Sequence, residues 1–265
     1  MANVFYAPGA ERAQLVQALF DRIASRYDLI NDLQSFGLHR YWKNCLIKLG
    51  SPKLGEKVFD VCCGTGDLSF RFTSSGAKVV GLDFSEQMLQ IATGRKTKLQ
   101  NLQLKVHRPQ SQVGASSIGA APLKGNLDFV RGDALRAPFP DESFEVVSIG
   151  YGLRNLADWQ TGLEEMCRVT KPGGRVLVLD FGKPDNAILR WVYFSYLRLF
   201  VPWLGRIFCG DASAYGYILE SLLHYPAQRG VAQQMRQIGL ANVRIINFLG
   251  GVMSINYGER TLANR

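Results

Sequence analysis

Val58-Phe59-Asp60-Val61-Cys62-Cys63-Gly64-Thr65-Gly66-Asp67 is an apolar strand that runs directly into a tight turn. Gly64 and Gly66 let the backbone approach a ligand where a Cβ would collide. Asp60 and Asp67 place two carboxylates in the same turn. That suits a cationic ligand group better than a pyrophosphate, because phosphates prefer bare amides at a helix N-terminus.

Outward from this turn, strand and helix patterns alternate. Strands are predicted at 57–61, 78–82, 127–131, 144–149 and 175–179, with helices at 85 to about 96 and 163–169 between them. The last strand is introduced by the turn Lys171-Pro172-Gly173-Gly174. Such alternation means parallel pairing through right-handed crossovers. A helix near 232–238 and strands at 243–248 and 252–257 add an antiparallel pair at the sheet edge. Before the first strand, Val16, Phe20, Ile23 and Tyr27 recur at helical spacing, and a second helix covers 40–49, ended by Gly50-Ser51-Pro52. The expected fold is therefore α/β: a doubly wound, mostly parallel, seven-stranded Rossmann-like sheet. It carries an N-terminal helical cap and an aromatic-rich helical excursion before the last two strands. A single domain over 1–265 divides into a cap (1–50), a cofactor-binding core (51–184), the aromatic segment (185–230) and the C-terminal strands (231–265). Residues 100–126 are rich in turn formers and lack a period, so they are expected to be an unstructured insertion. No internal repeat is present.

The 265 residues are 47% apolar and 20% charged, enough for a full core and far from a disordered composition. Cys45, Cys62, Cys63, Cys167 and Cys209 show no C-x-x-C spacing, and the three histidines form no ligand cluster, so neither disulfides nor a metal is expected. The start of the chain lacks a basic stretch followed by an apolar run, and no segment is long enough to span a membrane, which points to the cytoplasm. The formal net charge of +9 suits nucleic acid, anionic lipid or neither. Part of it sits between Gln87 and Leu127, a stretch without any acidic residue.

Two further acids close neighbouring strands. Asp83 ends Val79-Val80-Gly81-Leu82-Asp83, 19 residues after Gly64, where an acid accepts both ribose hydroxyls. Gly132-Asp133-Ala134 follows the third strand, placed to take hydrogen bonds from an adenine amino group. The ammonium of S-adenosylmethionine is a cationic group of the kind the first turn would hold. A nicotinamide enzyme uses the same topology, but Ser69 stands where the third glycine of its fingerprint belongs, and Asp67 would repel the pyrophosphate.

Six stretches resemble the ubiquinone/menaquinone biosynthesis C-methyltransferase family, of the class I S-adenosylmethionine-dependent methyltransferases. They are Tyr27-Asp28-Leu29-Ile30-Asn31-Asp32, Gly37-Leu38-His39-Arg40-Tyr41-Trp42-Lys43, Cys63-Gly64-Thr65-Gly66-Asp67-Leu68, Tyr151-Gly152-Leu153-Arg154-Asn155, Val169-Thr170-Lys171-Pro172-Gly173-Gly174 and the run from Asp211 to Ser221. The resemblance implies methyl transfer from S-adenosylmethionine, without a metal, to a ring carbon of a polyprenylated quinol. It assigns Thr65, Asp83, Asp133, Ala134 and Gly150 to cofactor contacts, and it places Arg154, with Asn155 beside it, next to the substrate. Cys62 departs from the family's frequent glycine, and the insertion at 100–126 exceeds what the family usually carries.

A reduced quinone becomes a carbon nucleophile when a ring hydroxyl loses its proton, so a base or an anion stabiliser is needed. The guanidinium of Arg154 can stabilise a phenolate or order a water but cannot itself be the base. Its alternative role is an ion pair, with Asp158 as the nearest carboxylate in sequence. His39 is a candidate base, with a packing role as the alternative. Cys62 and Cys63 follow an apolar strand and are read as inert. Between Ile188 and Val201 only Arg190, Ser195 and Arg198 are strongly polar, so this helix either packs in the core, lines a prenyl groove or rests peripherally on the inner face of a membrane. Partners in quinone biosynthesis and a homodimer stay open. A nucleic-acid methyltransferase lacks support, since no base-flipping motif or appended binding domain is present. Methylation of another small molecule, and a non-catalytic module that binds the cofactor or a prenyl lipid, remain as alternatives.

Overall fold

The computed structural model describes residues 10–106, 124–209 and 213–262. The cap consists of α1 (Ala10–Ile23), α2 (Tyr27–Ser35) and α3 (Leu38–Gly50). The first two, expected as one helix, are separated by a 3-10 turn at Ala24–Arg26. Then follow β1 (Lys57–Val61), α4 (Asp67–Ser74), β2 (Lys78–Asp83), α5 (Glu86–Val106), β3 (Leu127–Arg131), β4 (Phe144–Gly150), α6 (Trp159–Val169) and β5 (Thr170–Phe181). The C-terminal part holds α7 (Ala187–Cys209), α8 (Ser213–His224), α9 (Ala227–Gln237), β6 (Leu240–Phe248) and β7 (Met253–Arg260).

The seven strands form one sheet in the order β3-β2-β1-β4-β5-β7-β6. β1 pairs in parallel with β2 and β4, β2 with β3, and β4 with β5. β7 is antiparallel to both β5 and β6, and so is the one reversed strand. This is the doubly wound seven-stranded sheet expected from the alternation. The direction of winding changes between β1 and β4, which opens a crevice at their carboxyl ends.

Alternation along the strands divides the core between the two faces of the sheet. Phe59, Val61, Val147, Ile149, Val176 and Val178 face one buried cluster, with Leu163 and Met166 of α6 and Val231 and Met235 of α9. Val58, Val146, Leu177 and Leu179 face the other, with Trp42 and Leu46 of α3 and Phe70 and Phe72 of α4. Phe59 stacks on Phe144 at 5.0 Å between ring centroids.

Two further expectations are corrected. The helix expected to end near Lys96 continues to Val106, so the start of the expected unstructured insertion is helical, while 107–123 lie outside the described residues. The turn Lys171–Gly174 lies inside β5: Thr170 pairs with Phe144 and Arg175 with Val146, so the residues between them bulge, with Gly173 at φ 75°.

Candidate active site

A cleft opens at the carboxyl ends of β1 to β4. Its floor is Cys62 and Gly64 after β1, Asp83 to Ser85 after β2, Gly132 to Leu135 after β3 and Gly150 to Gly152 after β4. Val16, Gln17, Phe20 and Tyr27 of the cap close one side, and Asn155 to Ala157 another. Six residues selected from the sequence therefore line this cleft: Gly64, Asp83, Asp133, Ala134, Gly150 and Asn155.

The two glycines of the turn differ in role. Gly64 has φ 55°, and a Cβ built there would meet no protein atom within 4 Å, so this backbone leaves room for a ligand. Gly66 has φ 84°, and a Cβ there would stand 2.8 Å from the Phe129 ring. It is needed for packing the turn against β3. Asp83 joins the turn to the next strand end: one oxygen accepts the Gly64 N–H at 2.8 Å, the other the Ser85 N–H at 2.9 Å. Burial pushes its carboxyl above the usual range against those backbone donors. Asp133 is exposed and accepts the Leu135 N–H at 2.9 Å. The turn with an open glycine and the two strand-end carboxylates thus border the same cleft.

The remaining selected residues lie around the cleft and do not line it. Asp60 is fully buried in the sheet beneath the turn, accepting hydrogen bonds from Ser69 Oγ at 2.6 Å and Ser148 Oγ at 3.4 Å. Its carboxyl is pushed up to about 7 by burial, against those hydroxyls. Asp67 starts α4 and pairs with Lys43 at 2.7 Å and Arg71 at 3.1 Å. Burial disfavours its charge, but the two cations outweigh burial and hold the carboxyl below the usual range. Thr65 is buried, and its hydroxyl donates to Asp28 Oδ1 at 2.9 Å. Arg95 donates both to Asp28 Oδ2, at 2.9 Å, and to the Thr65 carbonyl, at 3.1 Å. Thr65 thus ties the turn to α2 and α5. His39, in the first turn of α3, reaches α2, with Nε2 2.7 Å from Asp32 Oδ1; burial first, then Lys43, keeps its pKa below the usual value.

Arg154 is 5% exposed and lies beside the cleft. Its Nε is 3.4 Å from Asp180 Oδ1, its backbone N–H donates to Asp180 Oδ2 at 3.2 Å, and its guanidinium lies 4.9 Å from the centre of the Phe181 ring. One guanidinium nitrogen also donates to Asn155 Oδ1. The partner is Asp180 at the end of β5, and not Asp158, whose side chain caps α6 through the Gln160 and Thr161 N–H groups. Burial raises the Asp180 carboxyl pKa above the ordinary range, against the pull of Arg154. Sequence reasoning missed Asp180 because it closes an apolar strand with no motif around it, and it missed Asp28 and Arg95 because their partners are 37 and 30 residues away.

Cys62 and Tyr151 both line the cleft with positive φ, 53° and 62°. Left-handed backbone at non-glycine residues costs about 1–2 kcal/mol each, and here it falls on the strand ends that shape the cleft. Burial holds both thiols of Cys62 and Cys63 far above their ordinary pKa, so neither is a thiolate nucleophile.

Comparison with known proteins supplies the deciding observation. The model of the ubiE/COQ5 methyltransferase family matches residues 9–260. The chain belongs to this family. It is 38% identical over 256 residues to the ubiquinone/menaquinone biosynthesis C-methyltransferase UbiE of Francisella philomiragia, covering 96% of this chain and 94% of that protein. It is 37% identical to the UbiE of Azotobacter vinelandii, covering 95% and 92%. A SAM-dependent methyltransferase from Aquifex aeolicus shares the fold with a TM-score of 0.54 at 18% identity, covering 82% of this chain and 88% of that one. This ubiE/COQ5 family member is an S-adenosylmethionine-dependent methyltransferase. Among the described residues no cluster of three or more His, Cys, Asp or Glu side chains is placed to hold a metal ion.

Proposed function

We propose that the protein transfers the methyl group of S-adenosylmethionine to a ring carbon of a polyprenylated quinol in respiratory quinone biosynthesis. The observation that carries this reading is the adjacency of two sites. The cleft of Gly64, Asp83 and Asp133 ends at Tyr151 and Asn155, and Asn155 accepts a hydrogen bond from Arg154, itself paired with Asp180.

S-adenosylmethionine supplies a methyl group already activated on a sulfonium, so the protein's task is alignment and charge control. Asp83 and Asp133 hold the nucleoside, and the Gly64 backbone leaves room for the amino-acid tail. Phe20, Tyr27 and Val16 of the cap keep water from the cleft. At the acceptor, the ring hydroxyl gives up its proton, electron density moves to the ring carbon, and that carbon displaces the methyl from sulfur. Arg154 stabilises the phenolate. Asp180 is the buried carboxylate beside it that takes the proton. Loss of the ring-carbon proton and reprotonation of the oxygen restore the aromatic quinol.

The acceptor's tail and the surface of α7 suggest where the protein works: peripherally, on an anionic membrane. No helix among the described residues is long and apolar enough to cross a membrane. Yet Ile188, Trp191, Leu199 and Trp203 of α7 are 76%, 71%, 72% and 55% exposed, with exposed Arg190 and Arg198 among them and no acid from Asn186 to Gly210.

The test of the chemistry is incubation with S-adenosylmethionine and a panel of reduced, demethylated naphthoquinones and benzoquinones, followed by mass analysis. A product heavier by one methylene on ring carbon is expected. Binding of S-adenosylhomocysteine without methylation of any quinol would overturn the reading.

A further inference from the structure

The aromatic segment buries two tyrosines within range of the charges of Arg154 and Asp180. Tyr193 of α7 and Tyr225, just after α8, are 6% and 4% exposed. Tyr151, at the end of β4, lines the cleft. The three come from separate parts of the chain, and the charges of Arg154 and Asp180 act on all three hydroxyls. None of these hydroxyls, all buried, has a hydrogen-bond partner among the described residues.

A buried hydroxyl without a partner costs about 1–3 kcal/mol, and phenylalanine fills nearly the same space without that cost. On α7, Tyr193 shares its buried stripe with Leu197 and Val201, and around it the helix carries phenylalanine and tryptophan. Packing alone therefore gives no reason for tyrosine at this position. Tyr225 is likewise packed by its ring, edge-on to Trp159 at 6.1 Å, and its oxygen is again left over. Burial also keeps each phenol above its ordinary pKa, so all three stay neutral donors in the working range. Neutral donors are what a ring oxygen passing from hydroxyl to phenolate needs, since the bond strengthens as the charge develops.

We infer that Tyr193 and Tyr225 bind the acceptor: their hydroxyls, with that of Tyr151 on the cofactor side, donate hydrogen bonds to the oxygens of the phenolic ring that Arg154 serves. The inference rests on the quinol reading above and gives the α7–α8 excursion a role in the ring pocket beyond its exposed face.

The test uses Tyr193→Phe and Tyr225→Phe in the full chain, with 1,4-naphthoquinol and 1-naphthol, which lacks one of the two ring oxygens. S-adenosylhomocysteine affinity should match wild type, since neither residue lines the cleft, and the melting temperature should hold or rise. kcat/KM for the quinol should fall about tenfold or more per variant, and in at least one variant the preference for quinol over naphthol should shrink about tenfold. An unchanged preference in both variants overturns the inference. So does a loss of thermal stability that parallels the loss of activity, which is what a hydroxyl bonded within the protein would give. If the wild type methylates no quinol, the functional reading fails separately, and equilibrium binding of 1,4-naphthoquinol in the presence of S-adenosylhomocysteine decides the tyrosines alone. Weaker binding by the variants supports them; equal binding, or none by the wild type, overturns them.

Discussion

Asp60 shows what one residue beneath the cofactor turn costs and what it controls. It sits at the centre of the sheet, opposite Gly81 and Ser148, with only two serine hydroxyls as donors. In the unfolded chain its pKa is the ordinary 3.8; in the fold burial raises it to about 7. Between these values the native state holds a proton that the unfolded state lacks, so stability falls as pH rises from about 4 to about 7 and then levels off. At about 1.4 kcal/mol per pKa unit the total is of order 4 kcal/mol. Asp60→Asn should remove this slope. Urea unfolding at pH 5 and pH 8 should show the variant gaining on the wild type at the higher pH; equal differences at both pH values would refute the assignment. The other buried carboxylates, Asp83 and Asp180, titrate in both proteins and cancel. At this scale the sequence displayed Asp60, Asp67 and Asp83 by their place in the glycine turn or their spacing from it, but passed over Asp180 after an equally apolar run. It did not display their partners. That Asp60 is sealed under the turn while Asp83 faces the cleft depends on the register of β1 against β2, which no local pattern encodes.

At the scale of elements, the cap packs Val16, Leu19 and Ile30 into the core, and polar contacts tie it to the cofactor turn. Asp28 of α2 bridges Thr65 in the turn and Arg95 on α5. Ser85 donates to Asp21 of α1 at 2.5 Å, and Arg12 donates to the Arg154 carbonyl at 2.8 Å. Asp28 and Arg95 are 46% and 39% exposed, so their ion pair is screened by solvent and fastens the cap weakly. Arg95→Ala should quicken proteolytic cleavage within α1 and α2 and weaken S-adenosylhomocysteine binding by about threefold, with the core's melting transition little changed. Cleavage at the wild-type rate would show that the cap is held by its apolar contacts alone. The elements themselves were largely legible: the five parallel strands and the C-terminal pair fall within a few residues of their sequence positions, since alternation and turn residues mark buried strands well. The far end of α5 was not: Leu99, Leu102 and Val106 keep helical spacing, but they run straight into a stretch rich in turn formers and were read as part of it. The bulge in β5 was taken for a turn because Pro172-Gly173-Gly174 looks the same in either setting.

Across the whole molecule, α7 presents one side to the core and the other to solvent. One stripe of this helix, Tyr193, Leu197 and Val201, is buried in the core, where the charges of Arg154 and Asp180 act on Tyr193. The opposite side holds Ile188, Trp191, Leu199 and Trp203 in solvent. α7 is tied to α2 by Tyr196, whose hydroxyl donates to the Gln34 carbonyl at 2.9 Å, and close by Phe36 and Leu38 are 74% and 39% exposed. A helix docked on a bilayer by this side would hold its buried stripe, and the ring pocket, within a helix diameter of about 10–12 Å from the lipid. A prenyl tail can span that distance without leaving its apolar surroundings. Trp191→Glu with Leu199→Glu should then abolish flotation with vesicles of mixed neutral and anionic phospholipid. The same double variant should raise KM for a long-chain prenylated quinol presented in vesicles and leave kcat/KM for a short, soluble quinol as in the wild type. Neutral vesicles should bind the wild type more weakly than anionic ones, because Arg190 and Arg198 add about 1 kcal/mol each near an anionic surface. Loss of turnover on the soluble quinol as well would mean that these side chains support the fold of the pocket, and that its access to the membrane lies elsewhere.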